Sequence, residues 1–212
     1  MAMAETSGRV GRDRAAQATQ RRILGVVERL LAQGGAEAVS IREVCLRAGV
    51  TAPTVYHHFG DKQSLVDRVI DECFLEFDRS FLRRRMPADP VEALRAGFDR
   101  YVAYGIEHPS HYRVIFQHRA ARPTAAGVGS YEKLRAAVAR IAAVGRLRTT
   151  VDEGAFVFWS TAHGITSLLI NGFQPPGESA ALVRDALIDR LTLPASGKKK
   201  TQTSEVTHAA RK

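Results

Sequence analysis

The chain of 212 residues contains no run of about 18 apolar residues, the length a helix needs to cross a bilayer. Its first 30 or so residues are polar and charged, without the apolar core of a secretory signal. Cysteine is scarce. Cys45 and Cys73 both fall on expected inward helix faces, which reads as two small buried hydrophobes in a reducing cytoplasm rather than a disulfide. There is no glycine-rich phosphate loop, no G-x-S-x-G and no paired set of catalytic acids, so no catalytic residues and no enzyme are expected. His108, His111, His118 and His163 invite a metal reading, but no two of them stand at the H-x-x-x-H spacing with a carboxylate that a helical zinc site uses. The one E-x-x-H, Glu205 to His208, is single, and a di-iron bundle needs two. Neither metal ligands nor a cofactor are therefore expected.

Charge is present but uneven. The formal net charge is +9, of which residues 1–22 carry +3 and residues 195–212 carry +4, leaving about +2 for the body. A basic excess suits a polyanionic partner, yet with most of it on the tails, charge alone does not establish one. Residues 1–14 lack periodicity and read as a disordered basic arm. Arg9, Arg12 and Arg14 would either follow a DNA minor groove or remain solvated. Residues 194–212, with a Lys run and Ser/Thr, read as a disordered basic tail.

The most informative stretch is Ser40 to Lys62. Ser40-x-x-Glu43 has the pattern of a capping box, with Val39 and Val44 placed as a hydrophobic staple. Ile41, Val44 and Ala48 share one helical face. Gly49 breaks the helix where the chain must reverse within a few residues. Thr51 caps a second helix with Pro53 in its first turn, and Asp61 caps the next, with Lys62 in its first turn. Val55 and Phe59 point inward, while Ala52, Pro53, Thr54, Tyr56, His57 and His58 form an outward face. The opening Ile41-Arg42-Glu43-Val44, the turn Arg47-Ala48-Gly49-Val50-Thr51, the run Thr54 to Phe59 and Asp61-Lys62 together closely resemble the helix-turn-helix of the TetR (tetracycline-repressor-like) family of transcriptional regulators.

The rest of the chain reads as further helices. A first helix, about 16–33, carries Ile23, Val27, Leu30 and Leu31. A fourth, about 63–84, carries Val66, Val69, Ile70, Cys73, Phe74, Phe77 and Phe81. It is too long to serve the helix-turn-helix alone and links two domains. Arg83, Arg84 and Arg85 at its end read as a solvated basic cluster. Asp89-Pro90-x-Glu92 starts a fifth helix, and Ser110 caps a short sixth through Phe116. Residues 122–129 read as a loop, followed by a seventh helix over about 130–144. The eighth, from Thr150 or Asp152 to about Ile170, has no polar face of any width and must be covered on all sides. A ninth spans about 179–191. Subunit pairing through the eighth and ninth would cover the former.

Trp159 with His163-Gly164, and His108-Pro109 with Tyr112 and Phe116, resemble a TetR-family ligand-domain subtype marked by Trp and His-Gly. The whole resemblance covers about residues 16–191. It implies an all-α protein of about nine helices. A helix-turn-helix domain at 15–62 joins through helix 63–85 to a ligand-binding and dimerisation bundle at 86–193. It implies a cytoplasmic homodimer on an inverted-repeat operator in double-stranded DNA, usually a repressor, released by a small-molecule effector. Arg42, Ala52, Pro53 and Thr54 would face base edges. Thr51, Tyr56, His57 or His58, and Lys62 would meet phosphates, with one of the two histidines packing on the turn instead. Ala52 departs from relatives with a long polar group there, which leaves fewer hydrogen bonds for reading bases. Phe77, Phe98, Tyr101, Tyr112, Phe116, Trp159 and His163 would line the ligand site or serve as core. A ligand-independent or architectural DNA-binding dimer, and an all-helical interaction protein, remain as alternatives.

Overall fold

The computed structural model describes residues 2–83, 85–116 and 124–194, with side chains from Asp13 onward. Among them are nine α-helices. The first is α1 (Ala2–Gly34), followed by a 3-10 turn (Gly35–Ala38), α2 (Ile41–Ala48), α3 (Ala52–Phe59) and α4 (Lys62–Leu82). Then come α5 (Pro90–Glu107), α6 (Pro109–Phe116), α7 (Ala125–Ala143), α8 (Val151–Ile170) and α9 (Ser179–Leu191). His118, Arg84 and the basic tail over 195–212 lie outside the described residues.

Local sequence sets most helix ends. Ser40 Oγ accepts from the Glu43 N–H at 3.1 Å. The reciprocal half of the expected capping box is replaced, because Glu43 turns its carboxylate to Arg47 one helical turn on. Val39 and Val44 are both buried, as a staple requires. Gly49 has φ 61° and ψ 45°, the left-handed conformation that closes α2 without a Cβ clash. Thr51 occupies the cap position of α3, but its hydroxyl lies 2.9 Å from that of Thr54 instead of capping an N–H. Asp61 accepts from Ser64 N–H at 2.7 Å, and that bond holds its carboxyl below the usual range. Asp89 accepts from Val91 and Glu92 N–H. At α8, Thr150 and Glu153 make both halves of a capping box.

Three expectations change. The disordered arm over 1–14 gives way to helix, since α1 continues back to Ala2. Extending a formed helix adds one hydrogen bond per residue without a new nucleus, and the Ala, Met, Glu and Arg of this stretch favour it. The loop over 122–129 is cut short. Thr124 caps α7 by accepting from Gly127 N–H, and Asp71 of α4 accepts from Ala126 N–H. Gly127 stays helical where a Cβ would approach the Phe74 ring to 3.0 Å, so packing overrides its low propensity. Ser110 does not cap α6. The helix begins at Pro109, and the His108 carbonyl accepts from Tyr112 N–H. On α8, part of the apolar surface stays uncovered within one chain, the part assigned to subunit pairing. Phe156 is 58% exposed, and Val157 and Leu168 are exposed on the same helix.

One continuous core runs through the molecule. Ile23, Val27 and Leu30 of α1 pack with Val44, Val55, Leu65 and Val69 beneath the helix-turn-helix. Cys73 and Phe77 of α4 carry that core into the bundle, where Phe98, Tyr112, Val138, Ile141 and Phe158 continue it. Both cysteines are free. Cys73 is buried and Cys45 only half-buried. Burial pushes the Cys73 thiol up to about 12, so by itself it packs as a neutral hydrophobe. The first helix does more than back the helix-turn-helix, because it also packs on α6. At the other end, Leu147 and Thr192 form a single antiparallel bridge that stitches the end of α9 to the α7–α8 loop. No helix among the described residues is long and apolar enough to cross a membrane.

Candidate nucleic-acid interface and ligand cavity

The polar face of α3 is held outward by what is held inward. Val55 is buried and Phe59 half-buried against the core, and the glycine turns at Gly49 and Gly60 reverse the chain on either side. Of the nine residues expected on this face, Arg42, Thr51, Pro53, Tyr56, His57 and Lys62 are exposed. Ala52, Thr54 and His58 are half-buried. The two histidines differ in burial: their rings meet at a centroid distance of 5.4 Å, the His58 ring also meets Phe59 at 6.1 Å, and His57 is exposed. α3 holds no acidic residue, and Arg42 and Lys62 flank it. Lys62 Nζ donates to the Ala36 carbonyl at 3.3 Å, which ties the start of α4 to the turn before α2. An ammonium has three donors, so two stay available.

The bundle contains a cavity of about 900 Å³. Four of the seven expected residues line it: Phe77, Tyr101, Phe116 and Trp159. Its other walls include Phe74, Phe81, Tyr131, Leu134 and Phe158, none of which was expected as a ligand contact. Phe74 and Phe81 lie on the α4 stripe with Phe77, so their spacing was the available signal. The rim is polar, with Asp78 accepting from Ser130 Oγ at 2.9 Å and pairing with Lys133. Volume and lining suit a mostly apolar molecule with one polar end.

Phe98, Tyr112 and His163 stand behind the wall. Phe98 is buried and meets Phe158 edge-on at 5.8 Å. Tyr112 is wholly buried, with its hydroxyl 2.6 Å from His163 Nδ1 and 3.4 Å from the Tyr101 hydroxyl. Burial pushes both phenols up, Tyr112 to about 12, and pushes His163 down, so all three stay neutral near pH 7. Tyr101 alone of this trio reaches the cavity, and the other two fix its position. His163 is itself half-buried and bonds Tyr112, and no close approach occurs at the neighbouring Gly164, which faces open space. The close approach is at Gly105, where a Cβ would come within 2.2 Å of Thr166 on α8.

Residues 23–69 match the model of the N-terminal domain of bacterial regulatory proteins of the tetR family, and residues 94–191 match a tetracyclin repressor-like C-terminal domain. The chain is 30% identical over 148 residues to the HTH-type transcriptional repressor KstR2 of Mycobacterium tuberculosis, covering 67% of this chain and 72% of that one. It is 37% identical over 87 residues to the HTH-type transcriptional regulator AcrR of Shigella flexneri, which spans 38% of each. Its fold is like that of AibR, solved in complex with isovaleryl coenzyme A and operator DNA. The TM-score is 0.61 at 23% identity, over 82% of this chain and 97% of that one. With a relative 30% identical over 72% of its own length, and family models matched over both the helix-turn-helix and the bundle, the chain belongs to the TetR family of transcriptional regulators.

Proposed function

We propose that the protein is a repressor that binds an inverted-repeat operator as a homodimer and leaves it when a small, mostly apolar effector fills the bundle cavity. The observation that carries this reading is the course of α4. Its first turns pack on α3, and its later turns supply Phe74, Phe77 and Phe81 to the cavity wall. One rigid element therefore meets both sites, which is the physical requirement for coupling them.

At the operator, α3 enters the major groove. Arg42, with its fork of donors, makes the bidentate guanine contact, while Ala52 and Pro53 offer apolar contact to a thymine methyl and Thr54 a hydroxyl. Thr51, Tyr56, His57 and Lys62 bind phosphates, which set register and supply salt-dependent affinity. The half-burial of His58 against Phe59 favours His57 as the phosphate contact. The dimer forms through α8 and α9. Phe156, Val157 and Leu168 on α8 and Leu182 on α9, 70% exposed, support this, because they leave apolar surface on both helices uncovered in a lone chain. Specific binding needs the two recognition helices about one DNA turn apart, ~34–36 Å. An effector that favours a different tilt of α4 changes that spacing and lowers operator affinity by linkage.

Selection of genomic fragments by the purified protein, then an electrophoretic shift on the enriched fragment at two salt concentrations, tests the DNA half. One enriched inverted repeat, bound more weakly at high salt, is the expected result. Binding without sequence preference would remove the operator reading. Screening apolar compounds for release of the enriched fragment tests the effector half.

A further inference from the structure

Three side chains outside the α3 face and the cavity converge where α1, α4 and α6 touch. Glu28, Cys73 and His111 each bring one donor atom to a common point, all within 4.8 Å of one another. His111 Nε2 lies 3.3 Å from Glu28 Oε1. The opposite ring nitrogen, Nδ1, lies 3.0 Å from the Tyr104 hydroxyl. A metal-bound imidazole is held in this way, its outer nitrogen fixed by a second group so that the inner lone pair is aimed. A carboxylate facing that lone pair is repelled unless a positive charge sits between them, either a proton or a metal ion. Cys73 favours the metal, since a thiol adds nothing to a proton shared by His and Glu, whereas a thiolate is a preferred ligand of zinc.

We propose that Glu28, Cys73 and His111 are the protein ligands of a zinc-class divalent metal site that fastens α1 to α4 and α6. The donor set of one oxygen, one sulfur and one nitrogen rules against magnesium and calcium, which take oxygen ligands, and suits Zn²⁺ or Co²⁺. Tetrahedral zinc places its ligand atoms roughly 3.3–3.6 Å apart, so the pair at 3.3 Å already fits and the widest closes by about 1 Å through side-chain rotation. Glu28 and His111 side chains are 28% and 26% exposed, which leaves solvent access for a water as fourth ligand. Binding is balanced by release of the Cys73 thiol proton to solvent, with any proton on Nε2 leaving too. The site lies away from the α3 face, so it stands or falls independently of operator binding.

The test is a Co²⁺ titration of the full chain after chelator treatment, followed by absorption. A cobalt–thiolate charge-transfer band saturating at one ion per chain, bleached by Zn²⁺, is expected. Cys73→Ser removes the band and Cys45→Ser keeps it. Glu28→Gln and His111→Gln, both at partly exposed positions and checked for helicity, weaken binding by more than about tenfold. Zn²⁺ raises the Tm of the parent chain by more than that of His111→Gln at the same concentration. Absence of a thiolate band, its survival in Cys73→Ser, or unchanged affinity in both glutamine variants would overturn the proposal.

Discussion

The helix-turn-helix and the bundle are held together over different distances along the chain. Between Ser40 and Asp61, turn ends are closed by near neighbours: Ser40 by Glu43, Gly49 by Cys45, Gly60 by Tyr56, Asp61 by Ser64. In the bundle the defining contacts join distant segments, among them Tyr112 with His163, Arg146 with Asp89, Arg184 with Asp99, and Ser130 with Asp78. Local closure makes a small unit whose outer face can vary without altering its shape. Distant closure makes a bundle whose interior can be carved into a cavity, provided the layers behind the wall stay packed.

Emptying a layer behind the wall is the most severe way to break that contrast. Phe98→Ala should destabilise the protein by ~3–5 kcal/mol, as truncation of a fully buried aromatic does. Urea unfolding measures it, and a loss below about 1 kcal/mol would mean that Phe98 is not structural. On the DNA side, Arg42→Ala should cost ~1–3 kcal/mol at one base position and relax preference there, while Tyr56→Phe weakens all sequences alike. Equal loss on operator and scrambled DNA for Arg42→Ala would sink its base-reading role. Ser40→Ala should cost ~1 kcal/mol of stability, the worth of a single cap, and barely move the cavity.

The smallest effect concerns pH. Burial lowers the His163 pKa from 6.5, so on acidification the unfolded chain takes up this proton first. Stability contributed by neutral His163 is therefore complete above about 6.5 and is lost as pH falls through the lower folded pKa. His163→Gln should flatten that acid slope relative to the parent in paired unfolding curves. An unchanged slope would show that the imidazole is not desolvated.

What the sequence made legible follows distance along the chain rather than region. Ser40, Gly49, Asp61, Asp89 and the Thr150–Glu153 pair act on residues within about one helical turn, and patterns of that length can be read directly. Glycines at 127 and 129 look like a loop, yet α7 starts before them, because the Thr124 cap and Asp71 of α4 close its first turn and the Phe74 ring packs against Gly127. The aromatic residues of the bundle were recognisable as inward, but which of two inward directions each takes depends on partners elsewhere in the chain. Thus Phe77 and Tyr101 reach the cavity while Phe98 and Tyr112 back it. Glu28, Cys73 and His111 follow no spacing motif, since three different helices bring them together.

α4 also has a mechanical consequence. As one unbroken helix from Lys62 to Leu82 it is about 30 Å long, at 1.5 Å of rise per residue. A lever of that length magnifies: a pivot of about 4° at the cavity end sweeps the other end by ~2 Å, a large fraction of the ~2.9 Å length of a hydrogen bond. Under the proposed function, an effector that shifts one aromatic side chain beside Phe77 slightly would thus displace Lys62, and the α3 packed on the start of α4, by a distance that matters to DNA contacts.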